Sequence, residues 1–219
     1  MPNYIFKGES NRELKIGKLV CLARTYKKHA EEMQSNVPDN PILFLKPTSA
    51  VIFDGDSILY PKQSKSVHHE VELGVVINKK CRNASKGQAM KYVLGYCVCL
   101  DITARDIQSE LKKKGHPWSI AKGFDTFAPI SNVVLKEEVD DPNTLDIWLK
   151  VNGEIRQKSN TNNMIFSVEQ IIEFVSNIMT LEPGDLIMTG TPEGVGEIQK
   201  GDVLEANLGN ICNLKVNVS

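Results

Sequence analysis

Short runs of Val, Ile and Leu, each closed by Gly, Pro, Asn or Asp, recur along most of the chain. Runs of this length, rich in β-branched residues and bounded by turn formers, read as strands. The pattern predicts strands over Leu19–Ala23, Leu43–Lys46, Val71–Ile77, Val93–Leu100, Ile147–Val151, Leu186–Thr189 and Val203–Leu208. Helical periodicity is rarer. His29–Gln34 is polar and Glu-rich, Ser85–Val93 opens on a Ser suited to a cap, and Thr103–Lys114 is charged and stops at Gly115. Ser167–Thr180 is the clearest amphipathic stretch. There Val168, Ile171, Ile172, Val175 and Ile178 recur at helical spacing behind Ser167 as N-cap, with Pro183-Gly184 as the stop.

Strands and helices do not alternate regularly enough for a doubly wound sheet. Gly190-Thr191-Pro192-Glu193-Gly194-Val195-Gly196 is glycine-rich, but strand precedes and follows it, and it lacks the Gly-Lys-Ser/Thr ending of a phosphate loop. The polar stretches Asp140–Asn143 and Asn160–Asn163 are turns, too short to separate domains. The expectation is one mixed, β-dominated α+β domain.

Composition narrows the partners. Among 219 residues, 26 Lys and Arg face 27 Asp and Glu, for a formal charge of −1. Nothing in that balance draws the chain to nucleic acid or an anionic membrane, and aromatics are only 6%, too few for a base-stacking surface. No apolar run approaches the ~18 residues of a membrane span. Met1–Leu14 has no apolar signal core, and Glu9 and Glu13 interrupt any acid-poor presequence. The expected location is cytosolic, or mitochondrial for a eukaryotic chain. Cys21, Cys81, Cys97, Cys99 and Cys212 form an odd set with no Cys-x-x-Cys pair and read as buried free thiols.

The strongest chemical signal is His68-His69-Glu70-Val71-Glu72-Leu73-Gly74. On a continuous strand, Glu70 and Glu72 share a face about 7 Å apart. Two such carboxylates stay ionised only beside a cation or basic groups; the alternative is an exposed acidic edge. Val93–Leu100 then ends abruptly in Asp101. Glu70, Glu72 and Asp101 form an all-oxygen set suited to a hard cation such as Mg²⁺. His68 and His69, on opposite faces, read as flanking structure. His29 and Glu32, three apart on a helix, suit a base dyad in which the carboxylate fixes the imidazole tautomer, or else a solvated helix face. Lys122 is a lone charge in an apolar stretch and needs an anionic partner, for which a metal-bound anion or Asp125 would serve.

Taken together, Cys21-Leu22-Ala23-Arg24-Thr25-Tyr26 with His29 and Glu32, Leu45-Lys46-Pro47, His69–Gly74, Asp101-Ile102-Thr103-Ala104-Arg105-Asp106, Lys122-Gly123-Phe124-Asp125 and Gly190–Gly196 resemble the fumarylacetoacetate hydrolase family. The short acylpyruvase and oxaloacetate decarboxylase branch matches best, in order, from about residue 17 to the end. Thr25 departs from the pattern, which has Asn after the Arg. The resemblance implies a β-roll or incomplete barrel with peripheral helices, a single catalytic domain over 1–219 with 1–16 as a short N-terminal extension, and a homodimer. It also implies Mg²⁺ or Mn²⁺ on Glu70, Glu72 and Asp101, with Lys122 beside the bound substrate. Arg24 and Thr191 would hold the substrate carboxylate, Arg105 and Gln108 would line the pocket, Lys46 would add a further contact, and His29 with Glu32 would activate water. The activity implied is cleavage of acylpyruvates (2,4-dioxo acids) to pyruvate and a carboxylic acid, accompanied by oxaloacetate decarboxylation. The alternatives are oxaloacetate keto–enol tautomerisation, dioxo-acid isomerisation, or non-catalytic binding of a small acid or metal.

Overall fold

The computed structural model describes residues 2–8, 12–32 and 37–219. Its backbone is organised by two long apolar strands, Val71–Ile77 and Val93–Leu100, in which every residue is buried. A strand covered on both faces needs no apolar–polar alternation, which is why both are near-continuous hydrophobic runs. They pair antiparallel at the centre of a mixed sheet running Ile42–Lys46, Leu19–Ala23, Leu186–Met188, Val71–Ile77, Val93–Leu100, Ala128–Ile130 and Val51–Phe53, with Val134–Leu135 added beside Val93–Leu100. A second sheet orders Glu154–Asn160, Asp146–Val151, Val203–Leu208, Cys212–Val218 and Ser57–Ile58. A third, small sheet joins Gly196–Ile198, Val67–His69 and Thr103–Ala104. The sheets curl into a half-barrel with few helices, so the expected β-dominated roll is the fold found.

Core side chains divide on the two faces of the central pair. Val71, Leu73, Val75, Tyr96, Val98 and Leu100 join the larger cluster with the second sheet and the long helix. Val76, Cys97 and Cys99 face the smaller one, with Cys21, Met188 and the N-terminal Tyr4 and Phe6. All five cysteines are buried and free.

Several local expectations shift. The long helix spans Val168–Ile178, with Ser167 and Gln170 forming a reciprocal capping box. It ends well before Pro183, and Ile178 is exposed rather than part of the buried stripe. Thr103–Ala104 is strand, because it pairs with Val67 and His68, so that helix covers only Arg105–Lys114, closed by Gly115 at φ 66°. Lys86–Tyr92 forms 3₁₀ turns, and Ser85 makes no side-chain cap. The short helix near His29 spans Lys27–Glu32, and its expected end at Gln34 lies outside the described residues.

Candidate active site

Two neighbouring strands turn one corner together. Pairing in the central sheet ends with Val71 opposite Leu100, and beyond it His68 faces Thr103 in the small sheet. Glu70 and Asp101 stand between the two pairings, and Asp101 N donates to Glu70 O at 2.8 Å. The continuous strand expected through Glu70 is therefore broken at that residue. The carboxylates still converge: one oxygen from each of Glu70, Glu72 and Asp101 lies within 4.8 Å of the others. All three are buried, so the acidic edge open to water is not what forms.

Basic groups surround them. Lys122 Nζ donates to Glu70 Oε2 at 3.0 Å, to Thr103 Oγ1 at 2.6 Å and to Asp101 Oδ2. Asp125, offered as its partner, is exposed in a turn instead. Arg105 donates to Glu70 Oε1 and to Gln108 Oε1. Burial by itself raises Glu70, but Lys122 and Arg105 overcome it and hold the carboxyl well below the usual range. Burial, Asp101 and Glu70 push Glu72 well above that range.

Lys46 has a different place from the substrate contact expected of it. Its ammonium donates to the carbonyls of Ile102, Lys122 and Phe127 at 2.9, 2.6 and 2.8 Å. Those bonds use all three of its protons. Asp101 Oδ1, 2.8 Å away, receives its charge without a proton. The side chain is buried beneath the carboxylates and does not line the cleft above them.

The glycine-rich loop closes one side. Gly190 N donates to Glu72 Oε2 at 2.8 Å. Its φ of 95° and the space taken by Thr25 Oγ1, 2.0 Å from where a Cβ would sit, require glycine there. Thr25 itself turns inward and donates to Thr189 O at 2.7 Å. Farther along the loop, Gly194 N donates to the carboxylate of Glu32, whose Oε2 lies 3.3 Å from Nδ1 of the buried His29. His29 and Glu32 are thus paired, the imidazole buried and the carboxylate exposed but tied to the loop. Arg24, at φ 60°, and Thr191 reach the same cleft, with Gln108 and the ring faces of Phe44 and Trp118.

Sequence reasoning missed Gln157. This buried residue sits on Glu154–Asn160, a strand whose one large apolar side chain, Ile155, is exposed. Gln157 Oε1 accepts from Val71 N at 3.0 Å and faces His69 Nδ1 at 3.0 Å, while Nε2 donates to Thr191 Oγ1 at 2.8 Å and to Pro192 O at 2.9 Å. The amide joins the Glu70 corner to the glycine-rich loop. Asn152-Gly153 just before the strand, both at positive φ, is the hairpin signal that announces it. His69 is held by Gln157 and His68 by Ser66, and neither belongs to the carboxylate cluster.

Residues 18–219 match the model of the fumarylacetoacetate (FAA) hydrolase C-terminal family. The chain belongs to this family. Mitochondrial oxaloacetate tautomerase FAHD1 of Bos taurus is 50% identical over 200 residues, covering 91% of this chain and 90% of the bovine protein. An uncharacterised protein of Pyrococcus horikoshii is 53% identical over 201 residues, covering 92% and 87%. Among solved structures, fumarylpyruvate hydrolase from Pseudomonas aeruginosa in complex with Mn²⁺ and pyruvate superposes with a TM-score of 0.95 at 35% identity, covering 99% of this chain and 95% of that one. As a fumarylacetoacetate hydrolase family member, the chain is of an enzyme family. Among the described residues no helix is long and apolar enough to cross a membrane.

The donor set fits a divalent metal. Glu72 Oε1 is buried with no hydrogen-bond partner among the described residues. Asp101 Oδ1 faces an ammonium with no proton left for it. Buried carboxylate oxygens left without donors are costly alone and are what a hard cation satisfies.

Proposed function

We propose that this chain catalyses metal-dependent keto–enol chemistry on 2-oxo acids, with oxaloacetate tautomerisation as its first activity. The observation that carries this reading is the buried Glu70, Glu72 and Asp101 cluster, with its unpartnered Glu72 oxygen, beneath a cleft that presents His29 and Thr191. The name borne by relatives at 50% identity supports oxaloacetate, and the Mn²⁺ and pyruvate of the Pseudomonas hydrolase support the metal and the 2-oxo acid class.

Glu70, Glu72 and Asp101 would hold Mg²⁺ or Mn²⁺, which would supply Lewis acidity toward the oxygens of a 2-oxo acid. Arg24 and the Thr191 hydroxyl hold the substrate's C1 carboxylate. Lys122, whose three protons go to Glu70, Asp101 and Thr103, acts on the developing C2 oxygen charge through its own positive charge. Glu32 accepts the Nδ1 proton of His29, which leaves Nε2 as the base. That nitrogen carries a proton between C3 and the C2 oxygen, interconverting keto and enol forms. Arg105 and Gln108 wall the cleft beside it.

A second reading is hydrolysis of acylpyruvates, and the His29–Glu32 dyad favours it. There Nε2 takes a proton from water, the water attacks the C4 carbonyl, and the C3–C4 bond breaks to give pyruvate enolate and a carboxylic acid. Loss of the C4 carboxylate of oxaloacetate as CO₂ reaches the same enolate without water. The sequence alone ranks cleavage first; the tautomerase relatives put tautomerisation ahead.

Two assays with Mg²⁺ separate the readings: relaxation of the enol absorbance of oxaloacetate, and pyruvate release from acetylpyruvate. Acceleration of the first, lost in Glu70→Ala, supports tautomerisation. Acetylpyruvate cleavage alone, abolished by His29→Ala with some decarboxylation left, moves the assignment to the hydrolase. Activity in neither assay overturns both.

A further inference from the structure

The cleft has two ends joined by an aromatic wall. At the carboxylate end Lys122 Nζ lies 4.9 Å from the Phe44 ring centre. Phe44 and Trp118 follow each other with ring centres 5.8 Å apart. At the far end Lys112 Nζ lies 5.2 Å from the Trp118 ring centre. Lys112 shares a helix face with Arg105 and Gln108, at spacings of seven and four residues, and helical side chains lean toward the N-terminus, which directs its stem back along the cleft.

The two cations of this helix face, Arg105 and Lys112, differ in their partners. Arg105 is already engaged by Glu70 and Gln108. Lys112 has only the face of Trp118, and no carboxylate pairs with it among the described residues. Burial, together with Arg105 and Arg24, brings its ammonium down to about 8 against a smaller opposing pull from Glu70.

We infer that Lys112 is a specificity residue that binds a second, distal carboxylate of the substrate, so that the site prefers 2-oxo diacids to 2-oxo acids with a neutral tail. The inference rests on the proposed function, which puts the 2-oxo acid group at the Glu70, Glu72 and Asp101 end. One carboxylate then meets Arg24 and Thr191, and the other meets Lys112 on the Trp118 side of the same cleft. The bland alternative is a surface lysine that lays its stem on Trp118 and keeps its head in water.

The test measures binding by calorimetry to the full-length, Mg²⁺-loaded protein, with 2-oxoadipate and 2-oxohexanoate as ligands of equal chain length that can enolise but offer no activated C3–C4 bond to cleave. Wild type is expected to bind the diacid about tenfold or more tightly, the range of a hydrogen bond to a charged group. In Lys112→Met the ratio should collapse to within about twofold, and Lys112→Arg should restore most of it. An unchanged ratio in Lys112→Met, or a wild type with no preference, overturns the assignment. Binding of neither ligand overturns the functional reading, and this inference with it.

Discussion

Gln157→Glu changes one atom and should reverse one hydroxyl. The amide can sit only one way round, because Val71 N can only donate to it and Pro192 O can only accept from it. Its Nε2 therefore also donates to Thr191 Oγ1, and the hydroxyl proton of Thr191 is left free to point toward substrate. The same orientation makes His69 the donor to Oε1 through Nδ1, in keeping with a ring that burial holds neutral. A carboxylate at 157 would still accept from Val71 N, but its second oxygen would draw the Thr191 proton inward and oppose the Pro192 carbonyl. Loss of one hydrogen bond to a charged substrate is worth about 1.5–3 kcal/mol, so kcat/KM should fall about 10–150-fold. The assay is steady-state kinetics on oxaloacetate for wild type, Gln157→Glu, Thr191→Val and the double variant. If Gln157 acts through Thr191, the second substitution adds little to the first. Effects that sum within about 0.5 kcal/mol would refute the coupling.

Two further outcomes follow from the buried charges. Lys46→Met should leave three carbonyls without donors and Asp101 without its countercharge; a broken buried ion pair costs about 3–5 kcal/mol, which calorimetric melting should read as a Tm lower by about 10 °C. An unchanged Tm with a raised KM would make Lys46 a substrate contact after all. Glu72→Gln should act in opposite directions on two measurements: a Mg²⁺ titration should show affinity lowered tenfold or more, while the metal-free protein melts no lower, because a carboxyl crowded by Asp101 and Glu70 has been made neutral. A lower Tm without metal would mean that the Glu72 charge supports the fold.

What the sequence reveals of this fold follows from how each element is buried. Leu19–Ala23, Val71–Ile77 and Val93–Leu100 are found at the predicted bounds, since apolar runs advertise strands that are largely enclosed, and so is Val203–Leu208, in which alternate residues are buried. Cys212–Val218 has the other signature, with Cys212, Leu214, Val216 and Val218 inward and Asn213, Lys215 and Asn217 outward, and a search for apolar runs passes over it. Glu154–Asn160 has neither signature, because its role is to place Gln157 and to pair with Asp146–Val151. In the site, acidic residues ending an apolar run stand out in the sequence. Their partners do not: Lys122 reaches Glu70 across 52 positions, and nothing local distinguishes it from a lysine paired with Asp125. Lys46 reads as a candidate contact, and only the three carbonyls that converge on it reveal its place under the floor.

The overall charge of −1 conceals a local balance with a chemical consequence. Glu70, Glu72 and Asp101 are set against Lys46, Lys122 and Arg105, three negative groups and three positive ones, with ion pairs to Glu70 and Asp101 only among the described residues. The pairing is uneven. Glu70 is held ionised by two cations, whereas Glu72 has, among the described residues, the Gly190 N–H alone and is pushed toward its neutral form. A divalent ion would remove that penalty by ionising Glu72, and the cluster would then carry two positive charges in excess. An excess of two suits a dianion better than a monocarboxylate. It is reached beneath a cleft that also holds Lys112 against Trp118, so the charge on both sides of the cleft favours a 2-oxo diacid.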